Sequence, residues 1–306
     1  MDEFRYVDRS DPEEVFSLLS NESRVAILRA LWDAEDPLRF SDLRESVGMR
    51  DSGQFNYHLD ELVGSFVRRT DEGYELTQAG MRINGAIETG AYTTDVAFDP
   101  LPLSDPCRTC GGQLTLDYED ETVRIECDSC ELTMAVGVPP SVFAGRDRED
   151  VPSVASQYLR TRFQQMDSGF CPFCEGRVEP TVGPLRRIID LPDEPPERFP
   201  DELVEQLPDL PMVRYDCQRC GQSPTSGLGL VFHDHPAVTS FYHERGIDVR
   251  TTPIWRFVAM NTDHERVRSR DPFRASVSYR VDDDELTVVV DEDLQVVEVE
   301  RTAGTA

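Results

Sequence analysis

Residues 107–130 run CRTCGGQLTLDYEDETVRIECDSC. Two Cys-x2-Cys pairs, Cys107/Cys110 and Cys127/Cys130, enclose sixteen residues. Leu114–Tyr118 and Thr122–Glu126 read as two strands, turned at Glu119-Asp120-Glu121. Two thiolates three positions apart on a tight turn can face one ion, and two such turns complete a tetrahedron. Gly111 follows the second cysteine, and glycine permits the positive φ that such a turn often requires.

Outward from this stretch the spacing repeats. Cys171/Cys174 and Cys217/Cys220 are again Cys-x2-Cys, and Gly221 again follows a second cysteine. The first two pairs are the layout of a zinc ribbon. The last two form a second four-cysteine site by elimination, across a long insert. The spacing therefore predicts two zinc ions. Closed four-cysteine sites are structural, which implies a fold and not catalysis. Disulfides and redox dithiols are the competing readings of the same residues.

Upstream, Asp11-Pro12-Glu13-Glu14 reads as a helix start, with Val15, Phe16, Leu18 and Leu19 expected inside. A second helix begins at Ser20 or Asn21 and carries Val25, Leu28, Leu31 and Trp32. Asp36-Pro37 breaks it. Ser41 is expected to cap a short third helix with Leu43 and Val47, ended by Gly48. A fourth starts at Asp51 or Ser52, with Phe55, Leu59, Leu62 and Val63 facing inward. Val67–Thr70 and Tyr74–Leu76 form a hairpin, and Thr77 caps a fifth helix to about Ile87. Helices, a helix-turn-helix pair, a hairpin and a closing helix is the winged helix-turn-helix order.

Three runs carry a resemblance. Asn21–Leu28 (NESRVAIL) resembles the second-helix signature of ArsR-type regulators. Tyr57–Leu62 (YHLDEL) resembles their recognition helix, and Tyr74–Thr77 with Gly80 resembles the exit of the wing. The resemblance covers residues 10–90. With the cysteine pairs and the acidic composition, the chain resembles haloarchaeal ArsR-like regulators with a cysteine-rich C-terminal part. It implies a sequence-specific transcriptional regulator that binds double-stranded DNA. It also implies a symmetric homodimer, paired through the first and fifth helices, where Met81, Ile83, Ala86 and Ile87 offer apolar surface. The cysteine motif of the metal-sensing members is absent from residues 1–106. A winged helix followed by a zinc ribbon is also similar to archaeal transcription factor E, which makes a component of the basal transcription machinery the alternative.

The second helix of a helix-turn-helix enters the major groove by its N-terminal part. Gly53, Gln54, Tyr57 and Asp60 lie off the apolar stripe of the fourth helix. Gln54 and Asn56 carry amides that pair with adenine. Arg50 and Ser52 can reach phosphate, and Arg68 and Arg69 on the hairpin can reach the backbone or minor groove. His58 flanks the stripe and is expected to pack. Between residues 39 and 69 five arginines balance five acids, so this face escapes the acidity of the rest.

The expected organisation is α+β and multidomain. A winged helix-turn-helix spans 1–95, ribbon 1 spans 104–137, and a helical connector spans 138–168 with Val154, Tyr158, Leu159, Phe163 and Met166 as its stripe. Ribbon 2 with its insert spans 169–232; the insert holds Leu191–Pro196 and an amphipathic run, Glu202–Leu207. A helix opening at His235-Pro236 and an antiparallel sheet fill 233–302. Expected strands there are Ile254–Met260, Arg266–Arg270, Ala275–Val281, Leu286–Val290 and Leu294–Val299. His233 and His235 read as structural.

Composition narrows the classes. The chain has 306 residues, 31 basic against 59 acidic, a formal net charge of −28. Every base is arginine; there is no lysine. An acid-rich surface spread along the whole length suits a halophilic cytoplasm, where screening is severe. No stretch approaches a membrane span, and the N-terminus lacks the pattern of a signal peptide. No nucleotide loop, H-E-x-x-H run or Ser/His/Asp arrangement is visible, so no enzyme is expected.

Overall fold

The computed structural model describes residues 11–90, 93–108, 110–130, 133–188, 209–257 and 264–303. The fold is mixed α and β, with four antiparallel sheets among the described residues. It divides into two compact units, Met1–Thr94 and Asp95–Ala306.

In the first unit the helices begin where side chains satisfy the free N–H groups of the first turn. Asp11 accepts from Glu13 N at 2.9 Å and starts α1 (Pro12–Ser17). Asn21 accepts from Ser23 N and Arg24 N and starts α2 (Glu22–Trp32). The third helix, α3 (Phe40–Val47), ends at Gly48 in the left-handed region, φ 72°. Asp51 accepts from Gly53 N at 2.8 Å and Gln54 N at 3.0 Å to start α4 (Ser52–Leu62). A hairpin, β1 (Val67–Arg69) and β2 (Tyr74–Leu76), leads to Thr77, which caps α5 (Gln78–Glu88). Ile27, Leu28, Leu31, Leu43, Phe55, Leu59, Leu62, Phe66, Val67 and Leu76 close one core.

Three details differ from the sequence reading. No residue of α1 is fully buried: Val15, with Leu18 and Leu19 of the following 3-10 turn, packs partly buried against the core, while Phe16 is 62% exposed. Ser41 does not cap α3; the cap position is Arg39, two residues earlier, and the Ser41 hydroxyl donates to Asp42. Trp32 and Val63 sit at the ends of their helices and stay exposed.

The second unit carries three sheets. The first, in the order β3 (Leu101–Pro106), β4 (Gln113–Glu119), β5 (Thr122–Cys127), β6 (Thr133–Gly137), adds a strand on each side of the expected hairpin. Glu119 pairs with Thr122 across Asp120 and Glu121, both at positive φ, which matches the twist of a two-residue hairpin. After α6 (Val151–Asp167) come β7 (Val178–Pro184), α7 (Leu185–Ile188), β8 (Pro211–Cys217) and β9 (Thr225–Gly227). Two further helices, α8 (Leu228–Val231) and α9 (Pro236–His243), precede the last sheet. That sheet runs in sequence order: β10 (Glu265–Arg270), β11 (Phe273–Val281), β12 (Asp284–Val290), β13 (Val296–Thr302).

The expected strand Ile254–Met260 is a correction. Ile254–Phe257 form a 3-10 turn, in which Ile254 N donates to Ser156 Oγ and Trp255 Nε1 to Asp105. The remainder of that stretch lies outside the described residues, as do Leu191–Pro196 and Glu202–Leu207. Leu294 takes a positive φ, so the last strand starts at Val296. His233 is buried with Nδ1 2.6 Å from the Leu230 carbonyl, and His235 accepts from Ala237 N; both serve the backbone. Buried side chains of both cysteine regions, α6 and the last sheet form one continuous apolar cluster.

Candidate metal centres and candidate nucleic-acid interface

Each Cys-x2-Cys pair sits on a short loop, and among the described residues the loops at Cys107, Cys171 and Cys217 share one hydrogen-bond plan. Cys107 N donates to Gly112 O, and Gly111 N to Cys107 O, both at 2.8 Å. Cys171 N donates to Gly176 O and Glu175 N to Cys171 O; Cys217 N donates to Gln222 O and Gly221 N to Cys217 O. The residue after the second cysteine has positive φ each time: Gly111 79°, Glu175 57°, Gly221 75°. That turn frees amides to point at sulfur. Gly112 N lies 3.4 Å from Cys110 Sγ, Phe173 N 3.4 Å from Cys171 Sγ, and Arg219 N 3.4 Å from Cys217 Sγ.

The loops bring the cysteines into two sets, Cys107/Cys110/Cys127/Cys130 and Cys171/Cys174/Cys217/Cys220, with all four sulfurs of a set within 4.8 Å of one another. These are the two sets expected from spacing. Cys107 Sγ is 3.7 Å from Cys130 Sγ, and Cys110 Sγ is 3.5 Å from Cys127 Sγ. In the second set Cys171–Cys220 is 3.7 Å and Cys174–Cys217 3.5 Å. A metal held by four thiolates at ~2.3 Å requires tetrahedral edges of about 3.8 Å, close to these separations. A disulfide needs about 2.05 Å, so none of these pairs is bridged.

Electrostatics asks for a cation at the same place. The amide of Cys220, then that of Arg219, hold the Cys217 thiol down at about 6. The Gln222 amide also favours a Cys220 thiolate, yet burial and the neighbouring sulfurs of Cys174, Cys217 and Cys171 push that thiol up to about 12. Four thiolates this close repel one another, and a divalent ion among them removes the conflict. The donor set fits a soft or borderline ion in a closed, four-coordinate structural site.

Two glycines beside the clusters escaped the sequence reading. A Cβ on Gly176 would lie 2.6 Å from Arg219 Cβ and 3.2 Å from Cys174 Sγ; one on Gly112 would lie 2.6 Å from Ser129 Oγ. The doubled glycine after Cys110 was the available signal for the second of these.

The candidate nucleic-acid face lies in the first unit. Along α4, Phe55, His58, Leu59 and Leu62 are buried, while Ser52, Gly53, Gln54, Asn56 and Tyr57 are exposed. Arg50, just before the helix, and Arg68 and Arg69 on β1 are exposed too. Several of these groups already have partners. Asn56 Nδ2 donates to Asp60 Oδ2 at 2.7 Å, and Arg68 Nε pairs with Glu75 at 2.7 Å. The Arg69 guanidinium lies 5.8 Å from the Tyr74 ring centroid, and that of Arg24 lies 5.9 Å from Tyr57. Asp51 caps α4, and the Gln54 and Gly53 amides hold its carboxyl below the ordinary range. The N-terminus of α4 thus already carries its anion.

A family described as a domain of unknown function (DUF7351) matches residues 104–296, and a second so described (DUF7347) matches residues 12–87. The first match spans most of the chain, and the chain belongs to that family. No curated protein and no solved structure matches it. No described helix is long and apolar enough to cross a membrane.

Proposed function

We propose that this chain is a sequence-specific DNA-binding transcriptional regulator of the ArsR-like winged-helix type, carrying two structural zinc ions. The observation that carries the reading is the division of α4. Its apolar residues are buried, and five small, amide or aromatic residues stand in solvent at the end nearest Gly48. The preceding helix α3, the left-handed turn at Gly48 and the following β1–β2 hairpin support reading this unit as a winged helix-turn-helix.

On this reading Gln54 and Asn56 address base edges, and Asn56 exchanges Asp60 for a base. Because Asp51 occupies the helix N-terminus, phosphate contacts fall to Arg50, Ser52, Arg68 and Arg69. Arg68 keeps further N–H groups beyond the one given to Glu75. The dimer implied by the resemblance would place two such helices ~34 Å apart on a palindromic site.

Zinc is the ion this donor set selects in most structural sites, and its role here is to hold the loops, not to react. Genome-wide occupancy in the native host tests the function. Enrichment at a few sites sharing one palindromic sequence is expected. Enrichment at promoters in general would replace this reading with the transcription factor E-like one, and no enrichment would remove both.

A further inference from the structure

Arg108 stands between Cys107 and Cys110, and it is one of four arginines lining a single cleft of about 380 Å3 in the Asp95–Ala306 unit. Arg245 lies just past α9, Arg256 in the Ile254–Phe257 turn, and Arg280 on β11. Buried Tyr242 and Thr252 also line the cleft, and the Thr252 hydroxyl donates to the Asp248 carbonyl at 2.9 Å. Asp282 is the single carboxylate among the lining residues. In a chain with 59 acids and 31 bases, such a ring of cations runs against the composition.

Three of the four are held by carboxylates that do not line the cleft. Arg245 gives Nε and Nη2 to Asp284 Oδ2 at 3.1 and 2.5 Å, and Nη1 to the Phe241 carbonyl. Arg256 Nε lies 3.3 Å from Asp105 Oδ1, and Arg280 Nε pairs with Glu285. A guanidinium has five N–H donors, so each pairing fixes the side chain and leaves donors over. Arg108 differs. Its Nη2 donates to the Arg280 carbonyl at 3.2 Å, and it has no carboxylate partner among the described residues. Burial pushes the Tyr242 phenol up, and the charges of Arg108, then Arg256, pull it back.

Fixed cations from separate elements around a small cavity are preorganised for an anion, since little side-chain freedom is lost on binding. The convergence favours a group with several terminal oxygens over a flat carboxylate, which two donors of one guanidinium already satisfy. Ile247 and Val281 supply a short apolar margin. A nucleic-acid strand fits poorly, because the cavity is small and closed around by side chains of one unit. We propose that this cleft binds a small phosphate monoester, with Arg108 as the cation the ligand neutralises. The proposal is independent of the DNA-binding reading; if both hold, the monoester is the regulator's effector.

Calorimetric titration of the metal-loaded full chain with phenyl phosphate, inorganic phosphate and succinate tests it. Phenyl phosphate is expected to bind once per chain, inorganic phosphate to compete more weakly, and succinate to bind least. Arg108→Gln is expected to raise the phenyl phosphate Kd about tenfold or more, the loss of one charge-assisted contact. Arg250→Gln, an exposed arginine outside the cleft, should leave it unchanged. Should Arg108→Gln lower the metal content, Arg280→Gln gives the same readout away from the cysteine loop. Absence of saturable binding, tighter binding of succinate, displacement by a DNA duplex, or wild-type affinity in a folded cleft variant would overturn the proposal.

Discussion

Glu265 opens β10 as a buried carboxylate, accepting from Leu228 N at 3.1 Å and Gly229 N at 2.8 Å. Burial pushes its pKa from 4.5 to about 7, against those two amides, which favour the charge. A raised folded pKa means the folded state prefers the proton. The penalty is absent below the unfolded pKa and grows as pH rises towards the folded one. With 4.5 unfolded and 7 folded, linkage gives a loss of about 0.8 kcal/mol at pH 5 and about 3.3 kcal/mol at pH 8, each relative to strongly acid solution. Glu265→Gln removes the titration and keeps one acceptor for the two amides. Its absolute cost includes an amide N–H facing a backbone N–H, but that cost does not depend on pH. The difference in unfolding free energy between variant and wild type should therefore move by about 2.5 kcal/mol in favour of the variant from pH 5 to pH 8. Urea unfolding of the metal-loaded chain at fixed salt measures it, and shared contributions from cysteines and other carboxylates cancel in the comparison. A difference that stays constant within about 0.5 kcal/mol over that range would show that Glu265 is ionised in the fold at both pH values.

Elemental analysis of the folded chain should give two zinc ions, and Cys127→Ser should lower that to one; two ions retained in the variant would contradict the first ligand set. Gly80→Ala should destabilise the first unit by about 1–3 kcal/mol, because its Cβ would lie 2.1 Å from the Phe66 carbonyl oxygen, a backbone atom that cannot step aside alone. An unchanged urea midpoint would mean that α5 and the β1 approach are looser than this. Gln54→Ala should weaken specific DNA binding by about 1–3 kcal/mol and relax one base position. Arg69→Ala should weaken all sequences alike and reduce the salt slope by about one unit; fluorescence anisotropy across salt separates the two, and equal effects of both on every sequence would argue against base readout.

What was legible in the sequence is what local chemistry decides. Asp11 and Thr77 cap the helices they are expected to start, and of the pairs Ser20/Asn21 and Asp51/Ser52 the caps are Asn21 and Asp51, because a side-chain oxygen two or three residues from the N–H it accepts needs nothing distant. Cys-x2-Cys spacing behaves likewise: each loop closes on itself, and two loops need only meet. The misses follow from the opposite case. Ile254–Phe257 is apolar and aromatic, so propensity favours a strand, yet the partners that bend it, Ser156 and Asp105, lie 98 and 150 residues away. Ser41 is a good capping type in a place where Phe40 already packs on Phe55, with ring centroids 5.1 Å apart, and the helix starts there instead. The cleft arginines run from position 108 to 280, one per element, and no sequence window holds two of them at helical or strand spacing.

In the second unit both cysteine regions share one apolar cluster with the elements around them. A four-cysteine loop pair closed by a metal can stand alone, which motivates separate ribbons at 104–137 and 169–232. Here the sheet built on the first pair turns Leu114, Leu116, Val123 and Ile125 inward, and these residues belong to the same apolar cluster as Leu159 and Phe163 of α6 and Val277 and Val288 of the last sheet. Cys107, Cys127, Cys171 and Cys217, one from each pair, are buried in that cluster too. Burial of apolar surface drives the fold at roughly 25 cal/mol per Å2, and surface shared between elements cannot be assigned to one of them. An ion held at either cluster would therefore brace a core that α6 and the C-terminal strands also depend on. The cysteine loops act as rivets in a larger layered body, and the charged cleft beside Arg108 is placed by that same body, since its walls come from the first loop, α9, the 3-10 turn and β11 together.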